Sequence, residues 1–298
     1  MIDLPHMQRN VPLADFTTYK IGGPAEYYVA VRSADELKDA VVAARNASEP
    51  YFILGCGANI LIRDGGIKGL VIHNLAQDAR IDGTTLFAES GAVIATLIEQ
   101  TRDASLSGLE HFVGIPSTVG GAMRQNLHFL APDRERTLYI EEIVQSAEIL
   151  DEHNTVQTVD RSFFNFGYDD SIIHHKNIVV LSVTFQLTPS TKEAIQAQMD
   201  ANMDWRIAKQ PQLWDYPSCG SVFKKIEGVG AGRLIDQAGL KGMHIGGAEI
   251  SPKHANYIVN AGGATAKDVL DLITLAQTEV KQKTGYDLEP EIVIIGEE

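Results

Sequence analysis

Cysteine is scarce in this chain: two in 298 residues, Cys56 and Cys219, in separate glycine-containing segments. No CxxC or Cys/His cluster accompanies either, which excludes a disulfide framework and a zinc site, and no other metal site is expected. Basic residues are outnumbered, 25 Lys and Arg against 39 Asp and Glu, for a net charge of −14. Such a surface repels nucleic acid and anionic membrane, so neither is expected as a partner, although a local site can still oppose the global field. No run reaches about 18 apolar residues, and the opening MIDLPHMQRN lacks a basic segment followed by an apolar one. Neither a membrane span nor a secretory signal is expected, and the reading is a cytoplasmic protein, a monomer or weak oligomer. What remains is an ordinary globular composition, 44% hydrophobic and 21% charged, long enough for two domains with full cores.

The patterning is mixed. Ser33-Ala-Asp-Glu36 reads as a capping box that opens a helix to about Ala44. Tyr51–Leu54, Ile60–Ile62 and Leu70–Ile72 read as short strands, and Ile143–Leu150 and Ile178–Leu187 as longer ones. Between them Val93–Arg102 carries apolar residues at helical spacing, at Val93, Ile94, Leu97 and Ile98. After Pro189 a connecting helix is expected from about Lys192 to Ile207. A glycine-rich stretch from Ser218 to Gly247 and a strand at Asn256–Asn260 follow. Thr265 then caps a helix ending near Gly285, and Glu291–Ile295 is the last strand. This is an α+β pattern with a boundary near residues 189–205, dividing the chain into 1–190 (subdivided at about 75) and 191–298.

Two segments are suited to an anionic ligand. Gly55-Cys56-Gly57-Ala58-Asn59 directly follows a strand, and its glycines allow backbone N–H groups to approach a phosphate. Gly114-Ile115-Pro116-Ser117-Thr118-Val119-Gly120-Gly121-Ala122 combines a proline turn, two hydroxyls and a glycine pair. Neither is a GxGxxG opening a βαβ unit, which excludes a Rossmann dinucleotide site. Taken singly each could be a tight turn; two in one chain suit a ligand with two phosphates, such as FAD.

These segments, together with Thr17-Thr-Tyr-Lys-Ile-Gly-Gly-Pro-Ala25, resemble the FAD domain of the MurB flavoprotein family in order and spacing. The resemblance continues through Arg206-Ile-Ala-Lys-Gln-Pro211, Pro217-Ser-Cys-Gly-Ser-Val-Phe-Lys-Lys225, Ala231–Gly242, Gly246–Ser251, Lys253–Asn260 and Leu288-Glu-Pro-Glu291, covering about residues 10 to 296. It implies an FAD-binding domain of the vanillyl-alcohol-oxidase (PCMH) type followed by a MurB-type substrate domain. The implied activity is NADPH-dependent, FAD-mediated reduction of an enolpyruvyl UDP-sugar in peptidoglycan synthesis. By resemblance, residues 55–59 wrap the pyrophosphate and 114–122 line the flavin, with Tyr19 and Val179 as further cofactor contacts. Ser221 matches the family's proton donor and Glu291 its catalytic carboxylate. Tyr168, Lys209, Lys225 and Gln237 match substrate-binding positions, and His254 is a second-tier candidate.

The chain also departs from the family pattern. Phe166-Gly-Tyr-Asp-Asp-Ser171 puts Asp169 where the family's catalytic arginine is expected, and like-charge repulsion would oppose the enolate charge that arginine stabilises. Arg124 and Arg134 are the candidate replacements. Asn126-Leu-His-Phe129 replaces an Asn-Ala-Gly run, bringing His128 or Phe129 near the flavin. Ser117 stands for a glycine, and the chain lacks the longer insertion of the type I subgroup, so it is type II-like. The departure at Asp169 leaves two alternatives: a flavin oxidoreductase of the same fold with another substrate, and a sugar-nucleotide-binding protein with impaired catalysis.

Overall fold

A computed structural model describes residues 4–226 and 228–298. The chain forms two compact units and passes between them five times: one unit holds residues up to 7, 29–56 and 72–205, the other 8–28, 57–71 and 206–298. Among the described residues no helix is long and apolar enough to cross a membrane.

The first unit is built on a five-stranded antiparallel sheet. Its strands lie in the order Val156–Asp160, Val144–Leu150, Val179–Gln186, Thr85–Glu89 and Ala79–Asp82. The central strand, Val179–Gln186, is buried along almost its whole length, which explains its continuous apolar run rather than an alternation. Three helices accompany the sheet: α1 (Ala34–Asn46), α2 (Ile94–Asp103) and α3 (Val119–Gln125). In α1 the buried residues are Leu37, Ala40, Val41 and Ala44, one stripe at helical spacing. Ser33 caps it by accepting from the Glu36 N–H at 3.1 Å, as expected from the sequence. The Glu36 carboxylate returns to the Arg32 N–H. Phe112, Val119, Met123, Ile149, Val183 and Phe185 meet in the core of this unit.

The segment 114–122, read from its glycines as loop, is helical from Val119 onward. Glycine costs a helix roughly 1 kcal/mol relative to alanine, yet two stand in the first turn of α3. Thr118 offsets this by accepting from the Gly121 N–H. Gly120 sits in a tight place, since a Cβ there would lie 3.2 Å from the Ser90 carbonyl oxygen.

Helix α4 (Lys192–Lys209) follows. The second unit has an antiparallel pair, Gln8–Pro12 with Pro24–Val31, and a parallel pair, Ile60–Ile62 with Val293–Ile295. A three-stranded antiparallel sheet comprises His244–Ile245, Ala248–Ile250 and Ile258–Asn260. The strand expected at Asn256–Asn260 thus begins at Ile258, because Asn256 makes different bonds. Helices α5 (Ala231–Gln237) and α6 (Ala266–Thr284) complete the unit. Helix α6 buries Ala266, Val269, Leu272, Ile273, Ala276 and Val280 in a core shared with Tyr19, Leu61, Phe223 and Ile258.

The start of α6 is heavily capped. Thr265 Oγ1 accepts from the Asp268 N–H at 3.1 Å, and Asp268 Oδ2 accepts from the Thr265 N–H at 3.0 Å. Asp64, 202 residues away in sequence, accepts from the Ala266 N–H at 2.9 Å and the Lys267 N–H at 3.1 Å. All four orphan donors at the start of the helix, the N–H groups of residues 265–268, are therefore matched. The backbone N–H of Thr265 leads the interactions that hold the Asp268 carboxyl below the ordinary aspartate range. A depressed folded-state value means that this contribution is present above about pH 4 and is lost as pH falls through that range. Thr265→Ala should lower stability by about 1 kcal/mol, read as a lower urea midpoint at unchanged slope at neutral pH.

Candidate active site

In the first unit the strand Tyr51–Leu54 ends at Gly55, and Gly55 and Cys56 are half-buried. A Cβ on Gly55 would lie 2.6 Å from Thr118 Oγ1. The two glycine-bearing segments therefore meet here, and glycine is the residue that lets them. Burial pushes the Cys56 thiol up, so it stays protonated at neutral pH. Ser117 donates to the Thr118 carbonyl at 2.9 Å. The Gly120 N–H binds the Ser90 carbonyl, and the Ser90 N–H binds the Leu181 carbonyl, each at 2.9 Å or less. That relay ties the start of α3 to the central strand two residues from Val179, which is itself buried opposite Leu150. Gly114 is exposed, and Ile115 and Pro116 are half-buried.

The second unit continues the first loop through Gly57, Ala58 and Asn59. Gly57 has a φ of +60°, and a Cβ there would lie 2.4 Å from the Phe16 carbonyl oxygen. Its own carbonyl accepts from the Thr18 N–H at 3.1 Å and the Thr18 hydroxyl at 3.3 Å. The loop's backbone carries no side chain at residues 55 and 57, which leaves its N–H groups open to close approach by an anion. Tyr19 is fully buried and donates its hydroxyl to the Ile258 carbonyl at 2.9 Å. Burial raises both its phenol and the neighbouring Cys219 thiol above their ordinary values.

Ser221 and Glu291, 70 residues apart in sequence, are brought together in this unit. Gly220, at φ +84°, turns the chain into Ser221. The next residue, Val222, accepts the Glu291 N–H at 2.8 Å. Phe223 bridges Pro290, and the Lys224 N–H reaches the Glu289 carbonyl at 2.9 Å, with an ion pair between those two side chains. Both Ser221 and Glu291 are half-buried. Tyr257 lies within electrostatic reach of Glu291. Burial pushes its phenol up to about 12, Arg206 opposes, and Glu291 and Cys219 add to the rise. Burial in turn lowers Arg206, which Tyr257 counteracts. Lys209 at the end of α4, Lys225, four residues beyond Ser221, and Gln237 at the end of α5 are exposed. His254, lowered by burial, accepts the Asn256 N–H at 3.3 Å.

The departures from the family pattern also fall into place. In the first unit Asp169, at φ +52°, is nearly buried and faces His128, with 3.7 Å between Oδ1 and Nδ1. His128 is flanked by the rings of Tyr168 and Tyr139, at 4.9 and 5.4 Å, and Tyr168 is 41% exposed. Two departures that look independent in sequence therefore touch. The signal that could have paired them is that both alter charge or proton-carrying capacity. Arg124 lies beside His174 at 3.0 Å, with Asp170 opposing the lowering of its pKa by burial. Arg134 lies over the rings of Phe129 and Trp205, at 5.7 and 5.6 Å.

Comparison with known proteins covers the whole chain. Residues 25–160 match the FAD binding domain family, and residues 210–295 match the C-terminal domain of UDP-N-acetylenolpyruvoylglucosamine reductase. The reductase of that name from Lactobacillus gasseri is 42% identical over 295 residues, spanning 98% of this chain and 95% of its own. That from Clostridium botulinum (strain Okra) is 40% identical over 289 residues, spanning 96% and 92%. Among solved structures, the UDP-N-acetylenolpyruvylglucosamine reductase (MurB) from Thermus caldophilus superposes with a TM-score of 0.81 at 32% identity, covering 97% of this chain and 99% of that one.

Proposed function

The chain belongs to the UDP-N-acetylenolpyruvoylglucosamine reductase family, and on that premise we propose that it reduces enolpyruvyl-UDP-N-acetylglucosamine to UDP-N-acetylmuramate for peptidoglycan synthesis. FAD is its cofactor and NADPH its reductant. The observation that supports the reading is the hydrogen bond from the Glu291 N–H to the Val222 carbonyl, which joins the backbone segments that carry the candidate acid Ser221 and the candidate carboxylate.

Gly55–Asn59 and Gly114–Ala122 would hold FAD. When bound, FAD supplies the hydride chemistry, taking hydride from NADPH and delivering it to the methylene carbon of the enolpyruvyl group. The displaced electron pair of the double bond goes to the carbon beside the substrate carboxylate, and that carbon takes a proton. Ser221 donates it. A serine hydroxyl is a poor acid in water, so it works here only if held against the developing carbanion by a fixed backbone. Glu291 orients the intermediate. Tyr168, Lys209, Lys225 and Gln237 are the substrate-contacting side chains in this reading. UDP-sugars and NADPH are cytoplasmic metabolites, which sets the compartment, and the protein works as a monomer or weak oligomer.

The test is an anaerobic stopped-flow run on FAD-loaded protein. NADPH should bleach the flavin, and enolpyruvyl-UDP-N-acetylglucosamine should then restore its absorbance. Bleaching that the UDP-sugar fails to reverse would sink the reading. Asp169 favours a second one, an oxidoreductase of the same fold acting on another substrate, because a nearly buried carboxylate faces His128 where the family resemblance implies an arginine. Oxygen consumption that ignores the UDP-sugar would select it.

A further inference from the structure

The extended segment that carries Ser221 is hydrogen-bonded on two sides around the bridge between Phe223 and Pro290. On one, the Glu291 N–H reaches the Val222 carbonyl at 2.8 Å and the Lys224 N–H reaches the Glu289 carbonyl at 2.9 Å. This antiparallel pattern turns both backbone groups of Phe223 to the opposite edge. There Asn256 meets the segment with three hydrogen bonds. Its main-chain carbonyl accepts the Val222 N–H at 2.8 Å. Its side-chain Oδ1 accepts the Phe223 N–H at 3.0 Å, and its Nδ2 donates to the Phe223 carbonyl at 2.8 Å. The partners settle the orientation of the carboxamide, because a backbone N–H meets only an acceptor and a carbonyl only a donor.

Resting on the reading of Ser221 as proton donor, we propose that Asn256 is a positioning residue whose carboxamide holds both backbone groups of Phe223 and so fixes the Ser221 segment against Glu291. Only asparagine fits. Leucine would leave both Phe223 groups unmatched in a buried setting, and an aspartate carboxylate would face the Phe223 carbonyl with an acceptor. Asn256 is 7% exposed and Phe223 1%, so water cannot replace the amide. Because Val222 is bonded to Asn256 through its N–H and to Glu291 through its carbonyl, loosening one edge displaces the hydroxyl relative to the carboxylate. Displacements of about 1 Å are enough to cost a hundredfold in rate.

The experiment is a double-mutant cycle on the FAD-loaded enzyme, read as substrate-driven reoxidation of flavin prebleached with NADPH. Asn256→Ala should lower the limiting reoxidation rate about tenfold to thirtyfold, with half-saturating substrate and NADPH bleaching each within about twofold of the parent. In a Ser221→Ala background the same change should cost nothing further, since Asn256 acts through that hydroxyl. Equal losses in both backgrounds, or an unchanged reoxidation rate, would overturn the proposal and leave Asn256 a packing residue. Should the alanine variant fail to retain flavin, Asn256→Asp, which keeps an acceptor for the Phe223 N–H, carries the same cycle. Failure of the parent enzyme itself to be reoxidised by the UDP-sugar would instead remove the functional reading, and this proposal with it.

Discussion

Replacing Ser221 by alanine should leave flavin bleaching by NADPH within about twofold of the parent while slowing substrate-driven reoxidation by about 10²–10⁴, the usual contribution of a positioned general acid. The split between the two half-reactions is the informative part. Hydride transfer from NADPH to the flavin needs no proton on carbon, so loss of the hydroxyl should not touch it. Reduction of the enolpyruvyl group does need one, delivered to the carbon beside the carboxylate. The backbone supports the separation, since the bonds of Val222 and Phe223 to Asn256 and Glu291 are made by main-chain atoms beyond Ser221 and survive truncation of its side chain. Each tenfold loss corresponds to about 1.4 kcal/mol of lost transition-state stabilisation, so the effect should stand well clear of experimental scatter. Both rates falling together would mean that Ser221 holds the site's shape rather than a proton.

Gly57→Ala should destabilise the protein by about 2–4 kcal/mol and strip it of flavin. Two costs combine. At a φ of +60° any Cβ is strained, at about 1–2 kcal/mol. The Cβ would also meet two backbone atoms, the Phe16 carbonyl oxygen at 2.4 Å and Thr17 Cα at 2.8 Å, and backbone cannot swing aside as a side chain can. Relief requires the loop to move off the Thr17–Thr18 segment, breaking the two hydrogen bonds that Gly57 accepts from Thr18. Gly83→Ala is the matched control. Gly83 has a φ of +58° with nothing within 4 Å of the added atom, so it should cost only the conformational part. Denaturant midpoints for the two variants, with flavin content measured by absorbance, separate strain from collision. Equal midpoints would show that the contact with Phe16 yields freely.

Local signals in the sequence translated well where one physical rule governs the segment. Ser33 and Thr265 both cap the helices that their side chains predict, and the apolar run at 178–187 is a central strand because both of its faces are covered. The reading failed where two rules competed. The Gly120-Gly121 pair signals a loop by propensity, but close approach to Ser90 and a threonine cap put it in a helix. Legibility ended at long range. Nothing in Asp64 announces that it caps a helix two hundred residues later, and nothing in Asn256 announces that its amide binds both backbone groups of Phe223, two residues from Ser221. Motifs named Ser221 and Glu291 as a pair, but only the fold brings residues 222 and 291 within a hydrogen bond. Likewise Asp169 and His128 each looked like an isolated oddity until their side chains proved to face one another.

The parallel pairing of Ile60–Ile62 with Val293–Ile295 also bears on when the site can exist. Its first bond runs from the Val293 N–H to the carbonyl of Asn59, the last residue of the glycine loop, two residues from Glu291. At ordinary synthesis rates of about 5–20 residues per second, residue 60 waits roughly 10–50 s on the ribosome for its partner strand. During that interval the strand edge is open and the loop unanchored, and closing so long a chain is slow on entropic grounds. Anchoring of the loop and arrival of the carboxylate are then one closure event. The bond that anchors the loop on this side therefore cannot form before residue 293 has been made.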